Sequence, residues 1–288
     1  MGYSSLLSFL MKASSKGEEI PSESSFWEHL EVLRRMIFRI LIVLSLLFVL
    51  VFINYDFVFN NILLAPSNSN FITYRLLKHL LTMFGFANLA VGDFQITLIN
   101  YELSGQFMIQ LSGSFLVATI VSLPYLIYEL WRFVRPALSI SESRYFGWLF
   151  FSASFLFYLG AMVSYFIILP MTIRFLGSYQ VSALIANQIS IQSYFNALII
   201  LVLSLGLTFE MPILAYFLSK LGVISKQLLA SGRRYAFVII LVVAAIITPT
   251  TDPFTLMAVT LPLYLLYEVS IWVCKKNETA QEEINDEA

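Results

Sequence analysis

Along the 288 residues the apolar positions gather into long, nearly unbroken runs instead of the short alternations of a soluble fold. Six runs stand out, at 37–53, 107–128, 145–169, 194–218, 235–247 and 254–273. A stretch of about 20 apolar residues reads as a membrane span, because a helix of that length crosses a hydrocarbon layer of about 30 Å. A helix also satisfies its own backbone polar groups where no water is present. The fifth run reaches about 20 Å at about 1.5 Å per residue, and Glu268 shortens the clean part of the sixth to a similar length. The pattern therefore predicts an all-α integral membrane protein with six transmembrane helices, the last two short, and local thinning of the bilayer around that hairpin. The helices form a single domain, 25–274, between a tail at 1–24 and an acidic tail at 275–288, both read as disordered and cytoplasmic. Between the first two spans, Tyr74–Leu89 is amphipathic enough to lie on the membrane surface as a short helix.

Composition agrees with this picture. The chain is 59% hydrophobic and 12% charged, with a mean hydropathy of +0.81; a soluble domain carries about twice that charged fraction. The apolar patch Leu6–Met11 is too short and wrongly flanked for a cleaved leader, so the first span is its own insertion signal. A single cysteine, Cys274, leaves no intrachain disulfide and argues against a thiolate metal site.

Charge placement gives the orientation. The net charge is −1, but the 17 Lys and Arg residues are unevenly spread. Arg75, Lys78 and Arg174 are the basic residues of the odd-numbered loops; the rest flank the even-numbered loops and the termini. The excess of positive charge marks the cytoplasmic side, which puts both termini inside.

Several residues are candidates for more than packing. Ser25 and Glu28 have capping-box spacing, and Glu28, Glu31 and Arg35 share the polar face of an opening helix. That face is either a solvated anchor or a docking surface for a cationic segment. Pro124 falls in the second run, and Trp131 and Phe133 follow it at the interface. Ser139 and Glu142 again have capping-box spacing, yet a carboxylate there can also meet an incoming guanidinium. Asp252 before Pro253 reads as a helix cap and first-turn proline. In LSLGLTFEMPILAYF, residues 203–217, Glu210 lies inside the fourth run. An ionised acid at a span's centre is unfavourable by about 2.5–3.5 kcal/mol on insertion scales. Pro212 cannot donate to the carbonyl of Thr208, and Gly206 admits a close neighbour, so the three define a polar notch. Gln110 and Ser112 are candidate hydrogen-bond partners for the acid.

The segments HLEVLRRM, FMIQLSGSFLVATIVSLPYLIYELWRFVRPALSISESRY, LGLTFEMPI, TPTTDPF and LPLYLLYE occur in order over residues 29–272. This series resembles the TatC family, the polytopic core subunit of the twin-arginine protein translocase. The resemblance implies a receptor and scaffold in the bacterial inner membrane, not an enzyme. It would bind the paired arginines of signal peptides on folded cargo at the cytoplasmic face. It would assemble, as a homo-oligomer within a larger complex, with single-span TatA/TatB-type subunits, for export driven by the proton-motive force. The implied signal-peptide group is Glu142 with Phe133, joined by Glu31 or Glu28 and Arg34. The implied partner-docking group is Glu210 with Thr208 and Pro212, and the family's external aspartate and proline fall on Asp252 and Pro66. The family's first-helix glutamate position is Val32 here, and a family lysine is replaced by Ser112. A one-residue shift turns a helical side chain by about 100°, so Glu31 or Glu28 would approach from a different angle.

No cofactor, metal or nucleic acid is expected. His29 and His79 lie far apart, and neither HExxH nor GxSxG occurs. A proton-coupled small-molecule transporter using Glu210 is the alternative, weakened by the lack of an internal repeat and of a second deep acid.

Overall fold

The computed structural model describes residues 22–83, 97–134, 146–180, 182, 188–248 and 252–274. Residues 1–21 and 275–288, the read tails, lie outside that range, as do Ser139, Glu142 and residues 84–89 of the amphipathic run.

Eleven α-helices occur among the described residues, and the five longest segments carry the long apolar runs. They are α1 (Ser22–Ile53), α2 (Tyr55–Val58), α3 (Ile72–Met83), α4 (Gly105–Val134), α5 (Phe146–Val163), α6 (Leu169–Ser178), α7 (Ile191–Thr208), α8 (Met211–Lys220), α9 (Lys226–Ser231), α10 (Arg233–Ile247) and α11 (Pro253–Val273). Helix α3 overlaps the amphipathic run expected to be helical over residues 74–83 and starts two residues before it. A π-helical turn, Ser164–Ile168, joins α5 to α6, and another, Phe59–Leu63, follows α2. Strands β1 (Leu98–Ile99) and β2 (Ile189–Ser190) pair in parallel and tie two loops together at one end.

Five segments are long and apolar enough to cross a membrane: Leu30–Ile53, Gly105–Phe133, Gly147–Ser178, Ile191–Lys220 and Pro253–Val273. Helix α10 has 15 residues, about 22 Å, and falls short of a full crossing, as the fifth apolar run foretold. Large apolar side chains such as Leu46, Trp148, Phe151 and Leu261 stay exposed on the bundle's flanks. In lipid that exposure carries no hydrophobic penalty.

Two departures from the sequence reading concern helix ends. Helix α1 begins at Ser22, so Ser25 lies inside it and does not start it. The fourth run was expected to be one helix, 194–218, open to a kink. The chain instead breaks at Phe209–Glu210 into α7 and α8, because Pro212 removes the N–H that would bridge the turn.

The bundle has a basic end, where α1 starts and α4, α8 and α11 finish, and an opposite loop end. The core runs through both, with Phe157, Phe195, Leu198, Leu201, Leu205 and Val259 fully buried. Helices α5 and α7 approach closely at two glycines. A Cβ on Gly206 would stand 2.7 Å from the Phe157 ring, and one on Gly160 would stand 2.8 Å from the Leu205 carbonyl.

Hydroxyl groups complete the loop end. Tyr55 donates to the Ile109 carbonyl at 3.1 Å, Tyr194 to Leu63 at 2.6 Å and Tyr165 to Ile62 at 2.5 Å. The Ile62 and Leu63 carbonyls belong to the π-helical turn Phe59–Leu63, at the end of a helical segment where backbone acceptors lack helical donors. Tyr74 donates to the Pro170 carbonyl at 2.9 Å, with the carbonyl of buried Pro66 at 3.3 Å. Pro170 cannot donate to Phe166, and Thr73 fills that carbonyl. In α4, Pro124 leaves the Ile120 carbonyl open, and Tyr158 of α5 donates to it at 3.1 Å.

Candidate functional site

Glu210 occupies the turn between α7 and α8 and caps α8 only with its backbone carbonyl, which accepts from Ile213 and Leu214 at 3.0 Å. Its side chain makes no capping bond, and Oε1 is buried with no hydrogen-bond partner among the described residues. Neither expected neighbour supplies one: Gln110 reaches the Phe52 carbonyl at 3.5 Å and Ser112 the Met108 carbonyl at 2.7 Å. Thr208 turns its own hydroxyl back to Ser204 at 2.6 Å. Among the described residues no donor is paired with the Thr208 carbonyl that Pro212 leaves open.

Glu210 faces a cavity of about 420 Å³ between α4, α5 and the α7–α8 break. Its walls are otherwise apolar: Leu123, Ile127, Leu130 and Trp131 from α4, Ala153 and Phe157 from α5, and Leu207, Ile213, Leu214 and Phe217 from the broken helix. Trp131 meets Phe217 edge-on at 5.5 Å. The notch therefore sets one buried carboxyl against a greasy pocket. It can receive a donor carried on an otherwise apolar surface, which lowers the desolvation penalty of the acid.

The basic end holds the second group. Glu31 and Arg35 form an exposed ion pair at 2.5 Å, one turn apart on α1. Val32 and Arg34 are exposed, and Phe133 is half-buried near the end of α4. Glu28 lies on the same helix, one turn before Val32; Glu142, the remaining member, is outside the described residues.

Sequence reasoning missed Glu129. It lies one turn before Phe133 on α4, 2% exposed. Arg39 of α1 reaches it at 3.0 Å and Tyr125 donates to it at 3.0 Å. The apolar run had been closed at Tyr128, so this acid fell at a boundary and escaped notice. The signal that could have found it is Arg39, a charge inside the first span with no local partner. Farther along the same end, Arg233 of α10 grips Glu268 of α11 through Nε and Nη2, both at 2.9 Å, and Tyr264 adds a bond at 3.2 Å. Asp252, at the loop end, accepts from the Thr255 N–H at 2.7 Å and caps α11 ahead of Pro253, as its spacing implied.

Fold and site together define a multi-pass helical membrane protein with a buried acid inside one of its apolar segments, Ile191–Lys220, and acid–arginine pairs at one end. The family model of the Sec-independent protein translocase protein, TatC, matches residues 28–262. The TatC of Blattabacterium sp. subsp. Periplaneta americana is 35% identical over 254 residues, covering 88% of this chain and 95% of that protein. The TatC of Aquifex aeolicus is 39% identical over 191 residues, covering 66% and 79%. Two crystal structures of the twin arginine translocase receptor TatC superpose with TM-scores of 0.66 and 0.69, at 34% and 33% identity. They cover 85% and 86% of this chain and 97% and 99% of theirs. The chain belongs to the TatC family: it is a membrane component of a Sec-independent protein translocase, from a family of transport proteins and not of enzymes.

Proposed function

We propose that this chain is the signal-peptide receptor and scaffold of a twin-arginine translocase in the bacterial inner membrane. Its basic end faces the cytoplasm, with both termini inside and α10 as a sixth, short span. Guanidinium groups of a twin-arginine signal peptide meet Glu142 and the acids of α1, with Phe133 beside them. Single-span TatA/TatB-type subunits dock at Glu210, and the assembly exports folded cargo using the proton-motive force.

The observation that carries the docking half is a buried carboxyl oxygen of Glu210 with no hydrogen-bond partner among the described residues, facing an apolar cavity. An intramembrane ionisable group is a functional candidate by default. The reading of a proton-coupled transporter finds no second titratable group in that cavity wall among the described residues. Photocrosslinking to a twin-arginine peptide tests the receptor half. Glu142→Ala and Glu31→Ala each weaken it, and Val32→Glu strengthens it; undiminished crosslinking in Glu142→Ala contradicts the assignment.

A further inference from the structure

Glu31, Arg35 and Arg39 follow one another at four-residue spacing on α1, so they form one slowly winding stripe. Each arginine is engaged by an acid: Arg35 by Glu31 of its own helix, Arg39 by Glu129 of α4. The two resident arginines thus leave the helix about 6 Å apart along its axis, each paired with one carboxylate. That arrangement has the chemistry of a paired-arginine ligand already seated on two acids.

The inner pair is incompletely made. Arg39 Nη2 lies 3.0 Å from Glu129 Oε2, yet Oε2 accepts no aligned hydrogen bond, and Arg39 Nε is buried without an acceptor. Guanidinium and carboxylate normally meet through two parallel bonds, as Arg233 and Glu268 do in the same molecule. Glu129 therefore keeps unused acceptor capacity, although its side chain is only 3% exposed. Arg39 is the movable partner: it is 40% exposed, and a long basic side chain at a membrane boundary can swing its head into water or among headgroups. Glu129 is fixed by burial and by Tyr125.

We propose that Arg35 and Arg39 are placeholders that mask Glu31 and Glu129 in the unoccupied receptor, and that the paired arginines of a signal peptide replace them. Glu129, one turn before Phe133, is then an arginine-binding acid of the same site, displaced from the family's first-helix position where Val32 stands. This inference rests on the receptor reading above.

The test uses the full chain in nanodiscs, titrated with a fluorescent twin-arginine peptide and its twin-lysine counterpart. Glu129→Gln weakens twin-arginine binding by roughly 10- to 100-fold, the range for a lost charged hydrogen bond, and shrinks the preference over twin-lysine. Arg39→Gln tightens binding several-fold by unmasking the acid, and Arg35→Gln does so less, because Glu31 is exposed. The double variant Arg39→Gln/Glu129→Gln removes both charges of the pair, so it guards against a folding defect; it binds as weakly as Glu129→Gln. Unchanged binding in Glu129→Gln, wild-type binding in the double variant, or weakening by Arg39→Gln overturns the exchange. The last result makes the pair a clamp that merely holds α1 on α4. A wild-type protein indifferent to arginine versus lysine overturns the receptor reading itself, whereas a discriminating wild type with unaffected Glu129→Gln overturns the exchange alone.

Discussion

At the loop end and along α4, backbone acceptors released by proline are refilled by hydroxyls from other helices. Thr73 covers Phe166 after Pro170, and Tyr158 covers Ile120 after Pro124. At the α7–α8 break the same chemistry is left unfinished: Pro212 releases Thr208, no hydroxyl is paired with it among the described residues, and the acid two residues on has a buried oxygen with no partner among them either. A chain able to fill two such positions has the means to fill a third. The difference separates a proline used to shape a helix from one used to keep a binding surface open. Glycine marks the same boundary, since Gly160 and Gly206 let α5 and α7 close tightly beside Phe157, which also lines the cavity.

Substitutions probe how far this contrast between satisfied and unsatisfied polar groups governs the molecule. The largest effect belongs to the buried ion pair, where the acid is satisfied by charge. Arg39→Ala leaves the buried Glu129 carboxylate uncompensated and destabilises the protein by about 3–5 kcal/mol, read as a fall in detergent-solubilised thermal stability; a shift of less than about 1 kcal/mol would mean that water reaches Glu129 readily. At the notch the sign reverses. Glu210→Leu removes an acid whose placement is unfavourable by about 2.5–3.5 kcal/mol, so the isolated chain gains stability by up to that amount in the same assay. A loss instead would show that Glu210 is already satisfied from within the chain.

Between these lies the packing that frames the cavity. Gly206→Val drives a branched side chain into the Phe157 ring and lowers stability by about 1–3 kcal/mol, with a matching loss of the α5–α7 contact in crosslinking. The smallest effect is at a filled carbonyl. Tyr158→Phe removes one interhelical bond, worth about 0.6 kcal/mol on average in membranes and about 1.7 at most. A loss well above that range would mean that Tyr158 holds α4 and α5 in register by more than its hydroxyl.

Hydropathy made the bundle legible because span length is set by the bilayer and not by distant contacts. Each long apolar run falls on helical segments and the fifth on the short α10, while the helices at Ser22–Ile53 and Gly105–Val134 extend well beyond their runs, at the start of the first and the end of the second. The Asp252 cap and the close approach at Gly206 were legible for the same reason, being local consequences of residue type. Glu129 was not. Its meaning depends on Arg39, 90 positions away, and that pairing exists only once α1 and α4 lie antiparallel. Position 210 was intermediate: the acid and the proline announced a notch and a kink, but not that the loss of the Pro212 N–H would end one helix and start another. The guess that Gln110 or Ser112 answers the acid failed because both hydroxyl and amide turn to nearer backbone carbonyls.

The central claim is that the Glu210 notch is kept open for a donor on a partner's helix. Co-purification of single-span subunits with the full chain from membranes tests it most directly, comparing wild type, Glu210→Gln and Glu210→Leu. The account predicts that Glu210→Leu, although the more stable chain, loses the small subunits, while Glu210→Gln, which keeps a hydrogen-bonding side chain, retains a substantial part of them. Recovery of the small subunits with Glu210→Leu at wild-type levels would contradict it.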